Sequence, residues 1–185
     1  MAYNFFYPAP GETIYNNREF KITIDSIVAK AEHLTFVGWR PDAGLDLLAL
    51  LIGNCQQSTV IEIHQANATV LKNYKLCNVI CDDVRNFAER LQPEQMEVLI
   101  WQDGPERLKM DDSIATLNEA KKYFGAIIIA TPDGIFEQSE IHGNKHERRL
   151  SSWHKKDYEN LGFTVSSLDQ PGFLIGYWTR DESKY

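Results

Sequence analysis

Acidic and amide side chains recur in this chain immediately after short apolar runs. Glu62 lies in VIEIHQAN, Asp82 and Asp83 follow CNVIC, and Gln102, Asp103 and Glu106 lie in EVLIWQDGPERL. A charge at the end of a buried apolar run needs a partner, because desolvating it alone is costly. Carboxylates so placed can accept hydrogen bonds from the hydroxyl or amino hydrogens of a ligand. His142 and His146 lie in the polar stretch TPDGIFEQSEIHGNKHERRL. Titrating near neutrality, a histidine there can take a proton from an acceptor hydroxyl. Each residue also has a plainer reading. An Asp before Val84 caps a helix, Asp-Gly-Pro is common turn punctuation, and loop histidines are often simply solvated. His142 and His146 stand at helical spacing without the Glu of HExxH, which argues against zinc hydrolysis.

A second feature is LTFVGWRPDAG, residues 34 to 44. An apolar run ends at Gly38, and a helix is expected from about Ala43. Many nucleotide-binding folds put a glycine-rich loop at such a junction, since glycines allow tight turns and close backbone approach. Here Trp39, Arg40, Pro41 and Asp42 stand before Gly44. Arg40 and Asp42 can pair with each other, or Asp42 can cap the helix. The dinucleotide G-x-G-x-x-G loop is absent, which disfavours a nicotinamide dehydrogenase. Cys55, Cys77 and Cys81 are odd in number, and CNVIC reads as a strand rather than a metal knuckle; core thiols in a reducing compartment and no metal site are expected. Arg148, Arg149, Lys155 and Lys156 make a local basic cluster, suited to an anionic acceptor or to a solvated helix face.

The elements that must position these residues alternate. A helix is expected from about Asn17 to Glu32. After it, the strand-like runs LTFVG, STVIEI, CNVIC, EVLIW and FGAIIIA are interleaved with the helical stretches GLDLLALLIG, NATVLKNY, VRNFAERL and SIATLNEAKKY. Short β-rich runs apolar on both faces mark strands of a parallel sheet covered by helices on each side, a doubly wound α/β fold with right-handed crossovers. The stretch from Thr131 to Leu150 is too irregular for a core element. A helix in WHKKDYENLG follows, then FTVSSL and GFLIGYW, joined by a turn at Gln170, Pro171 and Gly172 into an antiparallel hairpin. Residues 1–32 are expected to form an N-terminal segment and helix packed on one domain, residues 33–185.

A chain of 185 residues has enough length for one substantial core. Its 43% hydrophobic and 24% charged content is that of a soluble globular protein. With 19 basic and 26 acidic residues the formal charge is -7, which disfavours nucleic acid as a partner. No apolar run reaches the roughly 20 residues of a membrane span, and MAYNFFYPAPGE lacks the layout of a signal peptide. A cytoplasmic protein with no membrane partner is expected, and a homo-oligomer is left open.

The order of elements and the loops after them resemble the class I S-adenosylmethionine (SAM)-dependent methyltransferase family, over nearly the whole chain beyond the N-terminal segment. The stretch QDGPERL is similar to a Trp/His/Asp-Gly-Pro-Glu-His-Leu segment of a bacterial and viral subgroup. GNKHERRLSSWHKKDYENLGF is similar to that subgroup's Gly-Asn, charged run and Ser-x-Trp. The resemblance implies a Rossmann-like, seven-stranded, mostly parallel sheet with an antiparallel C-terminal hairpin and SAM across the ends of the first, second and fourth strands. Glu62 would then accept both ribose hydroxyls. Asp83, with Asp82 as the alternative, would accept from the adenine amino group, and the Val84 amide would meet the ring. Gln102 would touch cofactor or acceptor, and Asp103, Glu106 and His142 would orient the acceptor or take its proton.

At the first loop the chain departs from the family's acid-x-Gly-x-Gly-x-Gly. Anchored on Gly44, the corresponding positions are Gly38, Arg40, Asp42 and Gly44. Arg40 could meet the cofactor's carboxylate and Asp42 its ammonium, so Gly38 to Gly44, with Trp39, would hold the methionine end. The function implied is a SAM-dependent methyltransferase acting on a small-molecule or sugar-like hydroxyl or amine. A non-catalytic methyltransferase-like domain serving as a binding or assembly module is the alternative, and another nucleotide at the same sheet edge is a third reading.

Overall fold

The computed structural model of the protein describes residues 18–39, 57–141, 143–167 and 172–184. The stretch expected to form a helix from about Ala43, Cys55, and the Gln170 and Pro171 of the expected turn lie outside them. Helix α1 (Arg18–Lys30) leads into β1 (His33–Val37), β2 (Gln57–Ile61), α2 (Gln65–Tyr74) and β3 (Asn78–Ile80). A single 3-10 turn, Val84–Asn86, runs into the short α3 (Phe87–Arg90). Then come β4 (Val98–Gln102), α4 (Met110–Tyr123), β5 (Ala126–Pro132), α5 (Lys155–Asn160), β6 (Thr164–Ser167) and β7 (Phe173–Thr179).

The strands form one seven-stranded sheet in the order β3-β2-β1-β4-β5-β7-β6. β1 lies parallel to both β2 and β4, β3 and β5 extend the parallel set, and β7 runs antiparallel to β5 and β6. The doubly wound architecture and terminal hairpin expected from the alternation are both present. Strand order reverses between β1 and β4, and open α/β sheets take ligands at such a switch point, beyond the carboxyl ends of the strands.

Alternating side chains divide the core into two layers. Val98 and Ile100 of β4, with Ala126, Ile128 and Ala130 of β5, face the layer that contains Ile24, Ile27, Val28 and Ala31 of α1. The α1 positions fall at i, i+3, i+4 and i+7, one stripe of a helix, which packs against the sheet. Leu99, Trp101, Ile127 and Ile129 face the other layer, with Leu117, Ala120 and Phe124 at the end of α4. At full burial such side chains contribute roughly 1.5–3 kcal/mol each, so the two layers rigidly fix the strand ends that carry the loops.

Two differences from the sequence reading bear on function. VRNFAERL makes a 3-10 turn and four helical residues rather than a full helix, so the chain after β3 stays close to the sheet edge. The polar stretch after Thr131 is not excluded from the interior. Thr131 ends up fully buried in β5, Asn144 and Glu147 are buried, and Trp153 just beyond is wholly enclosed. Among the described residues no helix is long and apolar enough to cross a membrane.

Candidate functional site

A cleft of about 960 Å³ opens along the carboxyl ends of β1 to β4. Gly38 and Trp39 line it after β1, Glu62 after β2, Asp82, Asp83 and Val84 after β3, and Gln102 and Asp103 at β4. Of the residues singled out by type and spacing in the sequence, these and His146 are thus gathered on one edge, and Glu106 is not. Arg40, Asp42, Gly44 and His142 lie outside the described residues.

Glu62 is 4% exposed. Its Oε2 accepts the Trp39 amide at 2.7 Å and its Oε1 accepts the His64 amide at 2.7 Å. Burial pushes this carboxyl up from its ordinary value, opposed by those two amides. A carboxylate offers about four acceptor positions, so these two amides leave about two unused. Gly38 precedes Trp39 with φ +79° and nothing within 4 Å of where a Cβ would stand, and its amide donates to the Ile61 carbonyl at 2.8 Å. The backbone here is left-handed and, among the described residues, bare on that side. Trp39 is buried, packs edge-on to Tyr74, and among the described residues its indole Nε1 has no acceptor.

After β3 the two carboxylates are engaged. Asp83 caps the 3-10 turn, its Oδ1 accepting the Arg85 amide at 2.9 Å and its Oδ2 meeting Arg85 Nη2 at 2.7 Å. Burial works to raise the Asp83 carboxyl, and the Arg85 contacts overcome it and hold it below its usual range. Asp82 accepts from the Asp83 amide and from Asn86 Nδ2, and it pairs with Arg90. Val84 is buried against the cleft, and as the first residue of the turn its amide has no acceptor within the helix. Capping, the plainer reading of Asp83, is therefore realised.

The β4 loop is held tightly. Asp103 has φ +47°, uncommon for a residue with a side chain, and its amide donates to the Ala130 carbonyl at 2.8 Å. A Cβ on Gly104 would fall 1.7 Å from Trp101 Nε1, so only glycine lets this turn lie on the buried indole. Glu106 is 2% exposed and does not reach the cleft lining. Among the described residues neither of its carboxyl oxygens has a hydrogen-bond partner, and Arg149 Nε lies 3.7 Å from Oε1. Burial, then the charge of Asp103, pushes this carboxyl up to about 7.

The segment after β5 forms the facing wall. Arg107 Nη1 donates to the Glu147 carbonyl at 2.6 Å and stands 2.5 Å from Glu147 Oε2, the latter an ion pair off the hydrogen-bonding direction. The Glu106 carbonyl accepts the Leu150 and Ser151 amides. Ser151 Oγ accepts the Trp153 indole at 3.0 Å, and Trp153 stacks on Tyr158 with ring centroids 4.4 Å apart. This is the physical content of the Ser-x-Trp and Tyr in SSWHKKDY. His146, on the cleft and only partly exposed, is pushed down by burial and then by Lys145, so it is not a freely solvated loop histidine. The expected basic cluster is split: Arg148 and Arg149 line the cleft, whereas Lys155 and Lys156 do not.

Sequence reasoning assigned no role to Arg85, Arg90, Arg107 or Trp101. An Arg two residues after a capping Asp was a usable signal for Arg85; nothing local marked Arg107, whose partner lies 40 residues on. Among the described residues no cluster of His, Cys, Asp and Glu could hold a metal ion. Cys77 and Cys81 are free and partly buried.

No family model matches the sequence, and no curated protein matches it. Solved structures do match. The methyltransferase domain of bacterial CtHen1 is 15% identical, covering 88% of this chain and 97% of that one with a TM-score of 0.56. The plantazolicin methyltransferase BamL, solved with a triazolic desmethylPZN analog and SAH, is 13% identical, covering 84% and 81% with a TM-score of 0.60. A Rhodobacter sphaeroides protein assigned to the Zn-dependent alcohol dehydrogenases is 10% identical, covering 92% of each chain with a TM-score of 0.62. At these identities the likeness concerns architecture alone, and with the strand order, the reversed β7 and the cleft at the switch point the fold is that of the class I SAM-dependent methyltransferases.

Proposed function

We propose that this protein is a SAM-dependent methyltransferase acting on a hydroxyl or amine of a small-molecule acceptor. The observation that carries the reading is Glu62, buried at the floor of the cleft and tied to the turn after β1 while keeping acceptor positions for a ligand. The residues fit the cofactor at several points. Glu62 would accept the ribose hydroxyls, the bare left-handed turn at Gly38 and the unpartnered Trp39 Nε1 would face its methionine end, and Val84 and Asp83 would meet the adenine. Arg40, Asp42 and Gly44 keep their proposed part in that loop, as Gln102 does beside it.

Bound SAM supplies an activated methyl group on a sulfonium, open to in-line displacement. The protein must align the acceptor with it and, for a hydroxyl, provide a base. Asp103, held in a left-handed turn at the end of β4, is the lining carboxylate assigned that task. Glu106 stands behind the lining and acts through Arg149 and Asp103 rather than on the acceptor. His142 is the alternative base.

One observation favours the second reading, a non-catalytic binding module: both carboxylates at the adenine position are already paired with arginines. Calorimetry with SAM or its demethylated product, followed by transfer of labelled methyl to an acceptor panel, separates the two. Binding with transfer supports the enzyme, binding without transfer to any acceptor supports the module, and absence of binding removes SAM from both.

A further inference from the structure

The charges on the cleft are not evenly paired. Apart from Asp103, the lining carboxylate assigned as base, its carboxylates are engaged: Asp83 and Asp112 by Arg85, Asp82 by Arg90, Glu147 by Arg107 and Glu62 by backbone amides. Arg149 is different. Its side chain is only 14% exposed, yet Nε is buried with no acceptor, and no hydrogen bond from the guanidinium is made among the described residues. Its nearest anion is Glu106, 3.7 Å from Nε, beyond hydrogen-bonding distance and with its own oxygens unpartnered. Burial holds that carboxyl toward its neutral form, so it is a weak counter-ion. A guanidinium with five donors rarely stays so enclosed without an acceptor. Phe136 lies against it, 5.7 Å from ring centroid to Cζ, within cation–π range. Exposed Lys109 and Lys145 also line the cleft, with no carboxylate partner among the described residues. Beside them Phe136 and Leu150 are 40% and 57% exposed, an apolar rim on the same wall.

We propose that Arg149, assisted by Lys109 and Lys145, binds an anionic group of the methyl acceptor, so that the acceptor is a small organic anion, a carboxylate or phosphate on an apolar body, and not a neutral sugar or alcohol. This rests on the methyltransferase reading of the cleft. The planar guanidinium presents a fork that matches either oxyanion, the lysines add charge at the mouth, and Phe136 and Leu150 cover the apolar body.

Calorimetry on the full chain tests it with three probes: phenylacetate, phenyl phosphate and neutral 2-phenylethanol. At least one anion is expected to bind, with the alcohol at least about tenfold weaker, and Arg149→Met should weaken the anion by about tenfold or more. Whichever anion binds more tightly identifies the group as carboxylate or phosphate. Arg149→Lys, which keeps charge without the fork, should fall between wild type and Arg149→Met. Should Arg149→Met not fold, the wild-type salt dependence decides, since an ion-paired anion must weaken as salt rises. Equal binding of alcohol and anions, unchanged affinity in Arg149→Met, or binding indifferent to salt overturns the proposal. Titration with S-adenosylhomocysteine is run alongside. Cofactor binding with neither anion binding overturns this proposal alone, whereas anion binding without cofactor binding overturns the methyltransferase reading and with it the acceptor role of the anion.

Discussion

Glu62 Oε2 accepts the backbone amide of Trp39 at 2.7 Å, across 23 residues of sequence. One buried carboxylate therefore ties the turn after β1 to the end of β2 and sets the width of the crevice between them. Charge-assisted hydrogen bonds of this kind are worth about 1.5–3 kcal/mol each. Glu62→Ala is expected to lose about 2–4 kcal/mol of stability in urea unfolding, and to weaken cofactor binding beyond what Glu62→Gln does, since Gln keeps one carbonyl oxygen. Equal binding by wild type and both variants would remove Glu62 from the site.

Asp83 and Arg85 make a sharper test of the adenine end. If Asp83 only caps the turn, Asp83→Ala costs about 1 kcal/mol of stability and leaves cofactor affinity alone. On the reading given above, Asp83→Ala weakens cofactor binding while Arg85→Gln, which frees the carboxylate, maintains or improves it. Binding lost in Arg85→Gln and kept in Asp83→Ala would assign the position to the arginine instead.

Glu106 gives a pH dependence whose sign follows from its raised carboxyl. Its ordinary value is 4.5 and its folded value about 7, so between these limits the folded chain holds more protons than the unfolded one. Stability contributed by the protonated group is full below pH 4.5 and is lost as pH rises through 7, by on the order of 3 kcal/mol at most. Glu106→Gln removes this titration. The melting temperature of wild type should fall relative to Glu106→Gln between pH 5 and pH 8; parallel curves would show that Glu106 is ionised throughout.

Much of this architecture is legible in the sequence. The strands of the sheet centre were visible because they are apolar on both faces, and Glu62 because a carboxylate interrupts such a run. The facing wall was not. Nothing periodic marks 133–154, and its burial comes from contacts such as Arg107 with Glu147 and the Glu106 carbonyl with Leu150 and Ser151. Arg149 stood in a basic run that suggested an anionic acceptor or a solvated face, and only packing distinguishes it from Arg148, which pairs with Glu140 at the surface. The pairing of Asp83 with Arg85 depends on side-chain conformation, which composition and spacing do not specify.

Arg107 and Glu147 are 15% and 9% exposed, so breaking their pair strands a largely buried charge. Arg107→Met is expected to cost about 3–5 kcal/mol and to open 133–154 to limited proteolysis. The double variant Arg107→Met with Glu147→Gln should recover part of that loss, because the stranded charge is gone. Additive losses would show that the two side chains act independently.

Gly104→Ala should be costly, since its Cβ would sit inside the Trp101 ring. Overpacking of that kind costs about 1–3 kcal/mol, read as a lower urea midpoint together with altered tryptophan fluorescence. An unchanged midpoint and spectrum would mean that the loop relaxes away from the indole.

The most direct test of the cleft as a SAM site is calorimetric titration of the full chain with S-adenosylhomocysteine, in wild type and Glu62→Ala. Saturable one-to-one binding that Glu62→Ala weakens by about tenfold or more is predicted, and no saturable heat at millimolar ligand would contradict it.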